Sequence, residues 1–533
     1  LKLFTYICPV NFKLTIMKRK LFFSALALFL SFSSSVFAGG LLTNTNQNVT
    51  FLRNPARGAS IEIDAAYTNP AGLAFLKIDG FHLSVNNQSA FQTRTITTEF
   101  APFAGFCGNV VKEFEGTAQA LIIPNLQAAY KIGKWVFSAN IGIVGGGGTL
   151  DFSKGLPSFE SQVALLPLML SQSGIPATQY ALDSRLEGSS VIYGIQLGAT
   201  YKFNDYFSAY LGGRANIVNN SYEGYIRNIQ ANVGGNLVNL NSYFTEAATQ
   251  ATGAANSLQQ AIDGGYGNTP LHMVVSPEQL TQMAAGLGLS ETQAGALTVN
   301  EVQGAFFQKA TQAEGVANQT ADKELNCKQK GFGIAPIIGL NYNWKGLNIG
   351  VKYEFKTALQ LENETTENST GVEAYNDKVK TPYDIPALLT IGVQYDIIPQ
   401  VTVSVGYHHF FDSNAKMAND KQKFINGGVN EYLAGIEYRI NDMFLVSCGT
   451  QITRQGVTDD YQSDMSFAIN SYSLGFGGAI RITQNFRVNL AYFITNYSNW
   501  SKSSNNYGGV GMAGTDIFGR TNQTFGIGLD FRF

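Results

Sequence analysis

Three cations, Arg214, Lys352 and Lys356, stand at the polar positions of runs in which apolar and polar residues alternate. A guanidinium or ammonium beside an apolar pocket is the group that would hold a carboxylate head while the pocket takes the tail. The alternative is a polar interior in which Glu354 or Glu437 neutralises the charge. Four consecutive glycines, Gly145, Gly146, Gly147 and Gly148, weaken whatever strand contains them. They mark either a bulge or kink, or a flexible strand-to-loop junction. A phosphate-cradling loop is excluded because no Lys-Ser/Thr pair opening a helix follows. Asn69-Pro70-Ala71-Gly72 combines a fixed φ at Pro with an amide that both donates and accepts. It is either a sensing element held against a wall or an ordinary Asn-Pro turn. His82, His272, His408 and His409 have no Ser or Asp at a catalytic spacing, and metal and glycosidase patterns are absent. The residues therefore imply a binding protein without catalytic residues, metal or cofactor.

The elements that position these residues are strands. The last nine residues, Phe525 to Phe533, place Phe525, Ile527, Leu529, Phe531 and Phe533 on one face, with Gly526, Gly528, Asp530 and Arg532 between them. That is the period of a strand with grease on one side and water on the other. The same pattern recurs through the 533 residues, of which 14% are charged and 12% aromatic, with 56 Gly. A soluble domain would carry about 25% charge. A low-charge outer band with aromatic girdles suits a closed transmembrane β-barrel. Lys+Arg 36 against Asp+Glu 38 gives no electrostatic case for nucleic acid. Met17, Lys18-Arg19-Lys20, the apolar run to Phe32 and Val36-Phe37-Ala38 read as a signal peptide cleaved after Ala38, preceded by upstream residues, so that 1–38 is removed on export. Beyond it no apolar run reaches the roughly 18 residues of a membrane helix.

Six short connections, at 132–134, 204–206, 344–346, 397–400, 441–443 and 483–485, join pairs of alternating runs. Long polar connections separate them, at roughly 93–118, 150–188, 225–332, 362–382, 412–430, 456–470 and 501–520. Short turns alternating with long loops predict fourteen antiparallel strands over 81–533, turns in the periplasm and loops outside. Period-two sorting turns Ser208, Tyr210, Arg214, Asn216, Asn348, Lys352, Glu354 and Lys356 inward, with Gln196, His408, Glu437, Arg439 and Arg481. In the loop 225–332, Ser276-Pro277 opens a helix carrying Leu280, Met283 and Leu287 on one face, and Phe306 and Phe307 lie on a second. Those faces either form a greasy collecting groove or pack on each other; Val163 to Leu170 is a further apolar stretch. Cys107 and Cys327 fall in outer loops and are candidates to pair, whereas Cys448 faces lipid. Residues 39–80 contain no strand of barrel length and form either a periplasmic extension or a plug.

Within that segment Asn69-Pro70-Ala71-Gly72-Leu73-Ala74, followed downstream by Gly194 to Phe203 with Asn204-Asp205, Thr381-Pro382 through Tyr395, and Gly435 to Asp442, resembles the FadL/TodX family of outer-membrane long-chain fatty acid and hydrophobic-compound transporters. The resemblance spans the mature chain. Two features depart from the family pattern: a second tripeptide, Asn54-Pro55-Ala56, and the length of the loop 225–332. The resemblance implies an all-β, fourteen-stranded barrel with an N-terminal hatch in its lumen and helical loop insertions, monomeric in the outer membrane of a Gram-negative bacterium. It implies passive transfer of a hydrophobic small molecule, foremost a fatty acid, and sideways exit at Gly145–Gly148 through a kinked third strand into lipid. Uptake of aromatic or other hydrocarbons is the alternative within this class. A surface adhesin or receptor using the long loops is the alternative from another.

Overall fold

The computed structural model describes residues 48–533. The expected signal peptide and cleavage site lie outside the described residues. Fourteen strands form the barrel: β1 (Gly80–Phe100), β2 (Val111–Ile132), β3 (Trp135–Phe152), β4 (Tyr180–Lys202), β5 (Phe207–Val233), β6 (Lys323–Trp344), β7 (Leu347–Glu354), β8 (Leu388–Ile398), β9 (Val401–Phe410), β10 (Asn430–Arg439), β11 (Phe444–Arg454), β12 (Ser471–Thr483), β13 (Phe486–Tyr497) and β14 (Gly514–Arg532). Each pairs antiparallel with its neighbours, and β14 closes on β1 from Phe100↔Gly514 to His82↔Arg532. Phe81 and Phe533 exchange backbone hydrogen bonds of 3.2 and 2.8 Å at the seam. Four short strands, Asn236–Asn239, Gln360–Asn368, Lys380–Pro382 and Trp500–Ser504, extend the outer ladders.

Period-two sorting holds across the wall. On β5, Phe207 and Leu211 are exposed, and Ser208, Tyr210, Arg214 and Asn216 are buried. The exposed set forms the apolar band that hydrocarbon requires, bordered near the turns by Trp135, Phe137, Phe203, Phe207, Trp344 and Phe444. Among the described residues no helix is long and apolar enough to cross a membrane, a statement that leaves spanning strands untouched. All six turns lie where the spacing places them. Asn204 Oδ1 accepts from the amides of Tyr206 (2.8 Å) and Phe207 (2.9 Å), and Asn441 Oδ1 repeats this at Met443 and Phe444 (2.9 Å each).

The outer boundaries differ from the sequence expectation. The loop set at 93–118 shrinks to the stretch between Phe100 and Val111, and that set at 225–332 to the stretch between Val233 and Lys323. β1, β2, β4 and β5 run 21, 22, 23 and 27 residues. A bilayer needs only about 9–11, so these ladders stand far above it, where both faces can be polar and hydropathy carries no mark of the strand. In the remaining loop, Leu240–Ser257 packs beside Val299–Gln319, with shorter helices at Pro277–Leu287 and Glu291–Ala296. Ser276 caps the third of these: its Oγ accepts from the Gln279 amide (3.2 Å), and Gln279 Oε1 accepts from the Ser276 amide (3.0 Å).

Candidate functional site

The turn-side half of the lumen is occupied by residues 48–76, nearly all buried. Two short helices, Val49–Arg53 and Ala65–Thr68, and a 3-10 turn at Pro70–Phe75 fold this segment back on itself. Its first arm lies on a belt of inward glycines. A Cβ added at Gly392 would sit 2.2 Å from Gly58 C, at Gly475 2.0 Å from Leu52 O, and at Gly435 1.9 Å from Asn54 Oδ1. Only a wall without side chains admits backbone this close. Charge fixes the same arm. Arg53 donates to Glu437 (2.6 Å) and Ser447 (2.7 Å), and Arg57 holds Asp64 through two bonds (2.6 and 2.9 Å) and reaches Glu437 (3.3 Å). Glu62 takes two bonds from Arg487 (3.0 Å each), which also donates to Asp530 (2.8 Å).

The second arm hangs on single hydrogen bonds from the wall. Gln196 donates to Ala66 O (3.0 Å), Thr200 to Pro70 O (2.8 Å), Ser208 to Ala71 O (2.7 Å) and Lys352 to Tyr67 O (2.8 Å). The amides of Asn69 and Asn341 meet at 2.7 Å, and Asn69 Nδ2 also donates to Ser60 O (3.0 Å). A Cβ on Gly72 would come within 2.4 Å of both Asn69 Nδ2 and Ser60 O, so glycine is required where the turn closes. The second tripeptide docks likewise: Asn54 donates to Ser404 (3.2 Å), and Pro55 Cδ lies 2.7 Å from where a Cβ on Gly449 would stand.

Arg214 and Lys352 come together above this arm. Arg214 grips Glu354 with two bonds (2.8 and 3.0 Å) and reaches Gln196 (2.8 Å); Lys352 donates to Glu354 (2.5 Å). Both cations also lie 4.7 Å from the centre of the Tyr67 ring. Two cations against one carboxylate leave the cluster one positive charge in excess, and Arg214 Nε is buried with no hydrogen-bond partner. Glu437 is not part of this cluster; it belongs to the arginines of the first arm. Lys356 differs from expectation. β7 ends at Glu354, so Lys356 lies past the strand's inward face, partly exposed, paired with Asp384 (2.9 Å).

Between β2 and β3 the ladder is interrupted. Gln119 pairs with Thr149 and Asn125 with Gly142, and the register shifts between these two pairs. β3 also slips register against β4 at Ile143/Gly145 and Gly146/Gly148. Gly146 has φ +68, and a Cβ there would lie 1.9 Å from Ser190 O. Leu121 and Ile122, 61% and 76% exposed, stand outward beside the break. Behind it Val144 packs with buried Ile192, Val218, Leu359 and Leu361.

The outer half of the lumen is closed by an apolar core. Ile96, Phe114, Phe152, Tyr180, Tyr222, Leu325, Phe467 and Phe518 join Leu156, Val163, Leu165, Leu166 and Leu170 of the β3–β4 loop. Glu160 in that loop pairs with Lys112 and accepts from Tyr180 (2.8 Å), and Asp464 accepts from the Ser158 amide (2.7 Å). Burial pushes the Asp464 and Asp516 carboxyls up from their ordinary range. The apolar faces expected to form a groove are covered: Met283 and Phe306 are buried in a second core with Leu280 and Leu287 packed against it, and only Phe307, 41% exposed, faces outward. Cys327 is a buried free thiol inside the first core, so the pairing considered for it is not made.

Sequence reasoning missed Arg53, Arg57, Glu62 and Asp64. Their signal was two arginines and two acids in a short segment otherwise rich in Asn and Ala. No family model matches the chain. No curated protein matches it either. Solved structures do. A Pseudomonas aeruginosa FadL homologue matches at a TM-score of 0.53 and 12% identity, covering 93% of this chain and 100% of that one. The Ralstonia pickettii toluene transporter TbuX matches at 0.46 and 14%, covering 92% and 99%. The P. putida toluene transporter TodX matches at 0.46 and 12%, covering 89% and 94%. The fourteen-stranded barrel and its likeness to the FadL homologue over nearly the whole length of both chains give this chain the FadL-type fold.

Proposed function

We propose that the protein is a passive outer-membrane transporter of hydrophobic small molecules, long-chain fatty acids foremost, that passes its ligand sideways into the bilayer. The interrupted β2–β3 ladder carries this reading. A wall that must contain water has no use for an interrupted ladder at membrane depth, whereas a ligand leaving for lipid needs a break there. The charged N-terminal segment below supports the same route, because an apolar chain gains nothing by crossing it. The excess charge at Arg214, Lys352 and Glu354, with Arg214 Nε unpartnered, supports a carboxylate head in the lumen. A ligand carboxylate there would compete for Lys352 and loosen Tyr67, coupling binding to the second arm of the hatch.

A hydrocarbon ligand is the second reading, favoured by the fact that Glu354 already engages both cations. The test pins the break. The Cβ of Ala120 and one added at Gly148 would be 3.6 Å apart, which suits a disulfide. Ala120→Cys with Gly148→Cys should block oleate uptake into vesicles when oxidised and restore it on reduction, while saturable binding in detergent persists. Uptake unaffected by a verified cross-link would refute lateral exit. Absence of saturable binding of either oleate or oleyl alcohol would refute transport of both ligand classes.

A further inference from the structure

Arg94 on β1 and Arg520 on β14 are direct register partners across the strand pair that closes the barrel, both at inward positions. Like charges directly opposite each other destabilise a sheet. Elsewhere in the lumen Arg53, Arg57, Arg214 and Arg487 each hold a carboxylate. This pair does not. Arg94 donates through Nε to Gln92 (2.9 Å) and lies 5.6 Å from the Phe467 ring centre. Arg520 lies 4.9 Å from the Tyr497 ring centre, and its Nε is buried without a hydrogen-bond partner. Among the described residues no carboxylate pairs with either guanidinium, and the charged neighbour acting on Arg94 is Arg520 itself.

The pair stands between an apolar cap and a polar stretch of strand. Phe467 and Phe518, rings 4.9 Å apart, belong to the apolar cap, and Phe518 and Ile96 each lie two residues along the strand from the pair. Asn522 and Thr524 continue below toward Gly526, where the hatch begins. On the β2 side the register partners are small: Gly116 faces Arg94, Ala118 faces Gln92 and Ala120 faces Ala90. Ala120 and Gly148 form the near edge of the break. Two unneutralised guanidiniums thus share a ladder with a run of small residues that ends at the break, the Phe152 ring lying over Gly116 at its near end.

We infer that Arg94 and Arg520 form an oxyanion site that holds the carboxylate of a single-chain amphiphile on the β1–β14 side of the lumen, its tail lying toward the β2–β3 break. This rests on the transport reading and adds a second head-group station, separate from Arg214 and Lys352. An oxyanion bridging the two arginines removes their repulsion and fills the open Nε, which is why the site favours an anion over a neutral head. The phosphate of a membrane lipid shares that chemistry and reaches the same place through the break, so the test separates the two sources.

Binding of oleate, oleyl alcohol and dihexanoyl phosphatidic acid to the full mature barrel in neutral detergent is compared for the unaltered chain, Arg94→Gln and Arg520→Gln, with folding checked by heat-modifiable gel mobility. Each substitution should weaken oleate at least tenfold and change oleyl alcohol less than twofold, with phosphatidic acid weaker than oleate throughout. Oleate affinity of the unaltered barrel should also fall as salt rises, a reading independent of whether either variant folds. Oleate binding unchanged in both variants, an equal loss of oleate and alcohol, tighter binding of phosphatidic acid, or no salt dependence overturns the assignment. Loss of all saturable binding in the unaltered barrel overturns the transport reading instead.

Discussion

Gly392→Ala tests whether the glycine belt holds the hatch. The new Cβ would lie 2.2 Å from Gly58 C, 2.4 Å from Ala59 N and 2.6 Å from Gly58 Cα. Carbon atoms pack at about 3.5–4.0 Å, so something must move by more than about 1 Å. The wall strand β8 is hydrogen-bonded on both sides, to β7 and β9, whereas Gly58 belongs to a segment held mainly by side chains. The hatch should therefore yield. Overpacking costs about 1–3 kcal/mol, and shifting Ala59 also strains the bond from Asn348 to its carbonyl (2.6 Å), worth about 1 kcal/mol. Together these raise the open population of the hatch on the order of 10²-fold. Hydrogen exchange read by mass spectrometry should show residues 49–69 exchanging faster by about that factor, with strands β7 to β9 unchanged. Gly304→Ala, at a helical glycine with no heavy atom within 4 Å of the added Cβ, should leave exchange in the hatch as it was. Exchange of 49–69 within twofold of the unaltered chain, or loss of protection in β8 rather than the hatch, would refute the reasoning.

Glu437→Gln removes the carboxylate shared by Arg53 and Arg57. Arg57 keeps Asp64, but Arg53 is left buried without a carboxylate, facing only the neutral oxygens of Ser447 and the new amide, a loss of about 3 kcal/mol; the temperature at which the folded form disappears in a heat-modifiability gel should drop, and an unchanged temperature would count against the clamp. Asp412, at the outer end of β9, has its carboxyl pushed up to about 6 from 3.8 by burial, with Glu431 adding to the effect and His409 opposing it. Its folded form binds the proton more tightly, so stability is full below the unfolded pKa and falls by about 3 kcal/mol as pH rises from about 4 through 6. After correction for intrinsic rates, residues 411–429 should exchange more slowly at pH 5 than at pH 7.5. Asp412→Asn, which keeps an acceptor for the Val429 amide (2.9 Å), should abolish the difference; its persistence in that variant would assign the effect to another group.

The wall was legible where physics forces a two-way choice. A residue such as Leu211 or Arg214 must face lipid or lumen, and period two decides which. Turns were legible because Asn204 and Asn441 act locally, on amides two and three residues away. Strand length was not. Above the membrane β1 carries Thr95, Thr97 and Glu99 outward, against Glu113 and Glu115 on β2, and this polar surface reads as loop. The fate of the helical faces was hidden for a different reason: Leu280 and Phe306 have the same periodicity whether they face water or each other, and only their partners separate the two. The belt left a trace that could have been found, since Gly435, Gly449 and Gly475 fall on the lumen side of three successive strands. The charges of the hatch could be seen but not paired, because Arg53 meets Glu437 across 384 residues.

Free energy of transfer decides between the two ways a hydrophobic ligand could leave such a lumen. Each methylene moved from water into hydrocarbon gains about 0.8 kcal/mol, so a sixteen-carbon tail delivered to the periplasm instead of the bilayer forgoes on the order of 12 kcal/mol. A downhill carrier has no energy source to offset that. The turn-side exit carries a further cost, because leaving it requires displacing Arg53, Arg57 and Arg487 from their carboxylates in a closed lumen. At the β2–β3 seam the register is already interrupted, Ala120 meets the glycine run at Gly148, buried Ile123 and Ile143 flank it, and Leu121 and Ile122 face lipid. On the proposed route the head group is then the slow part, since a carboxylate must leave water before its tail can leave the protein. On that route the cations at Arg214 and Lys352, and then at Arg94 and Arg520, would lower the barrier in two steps.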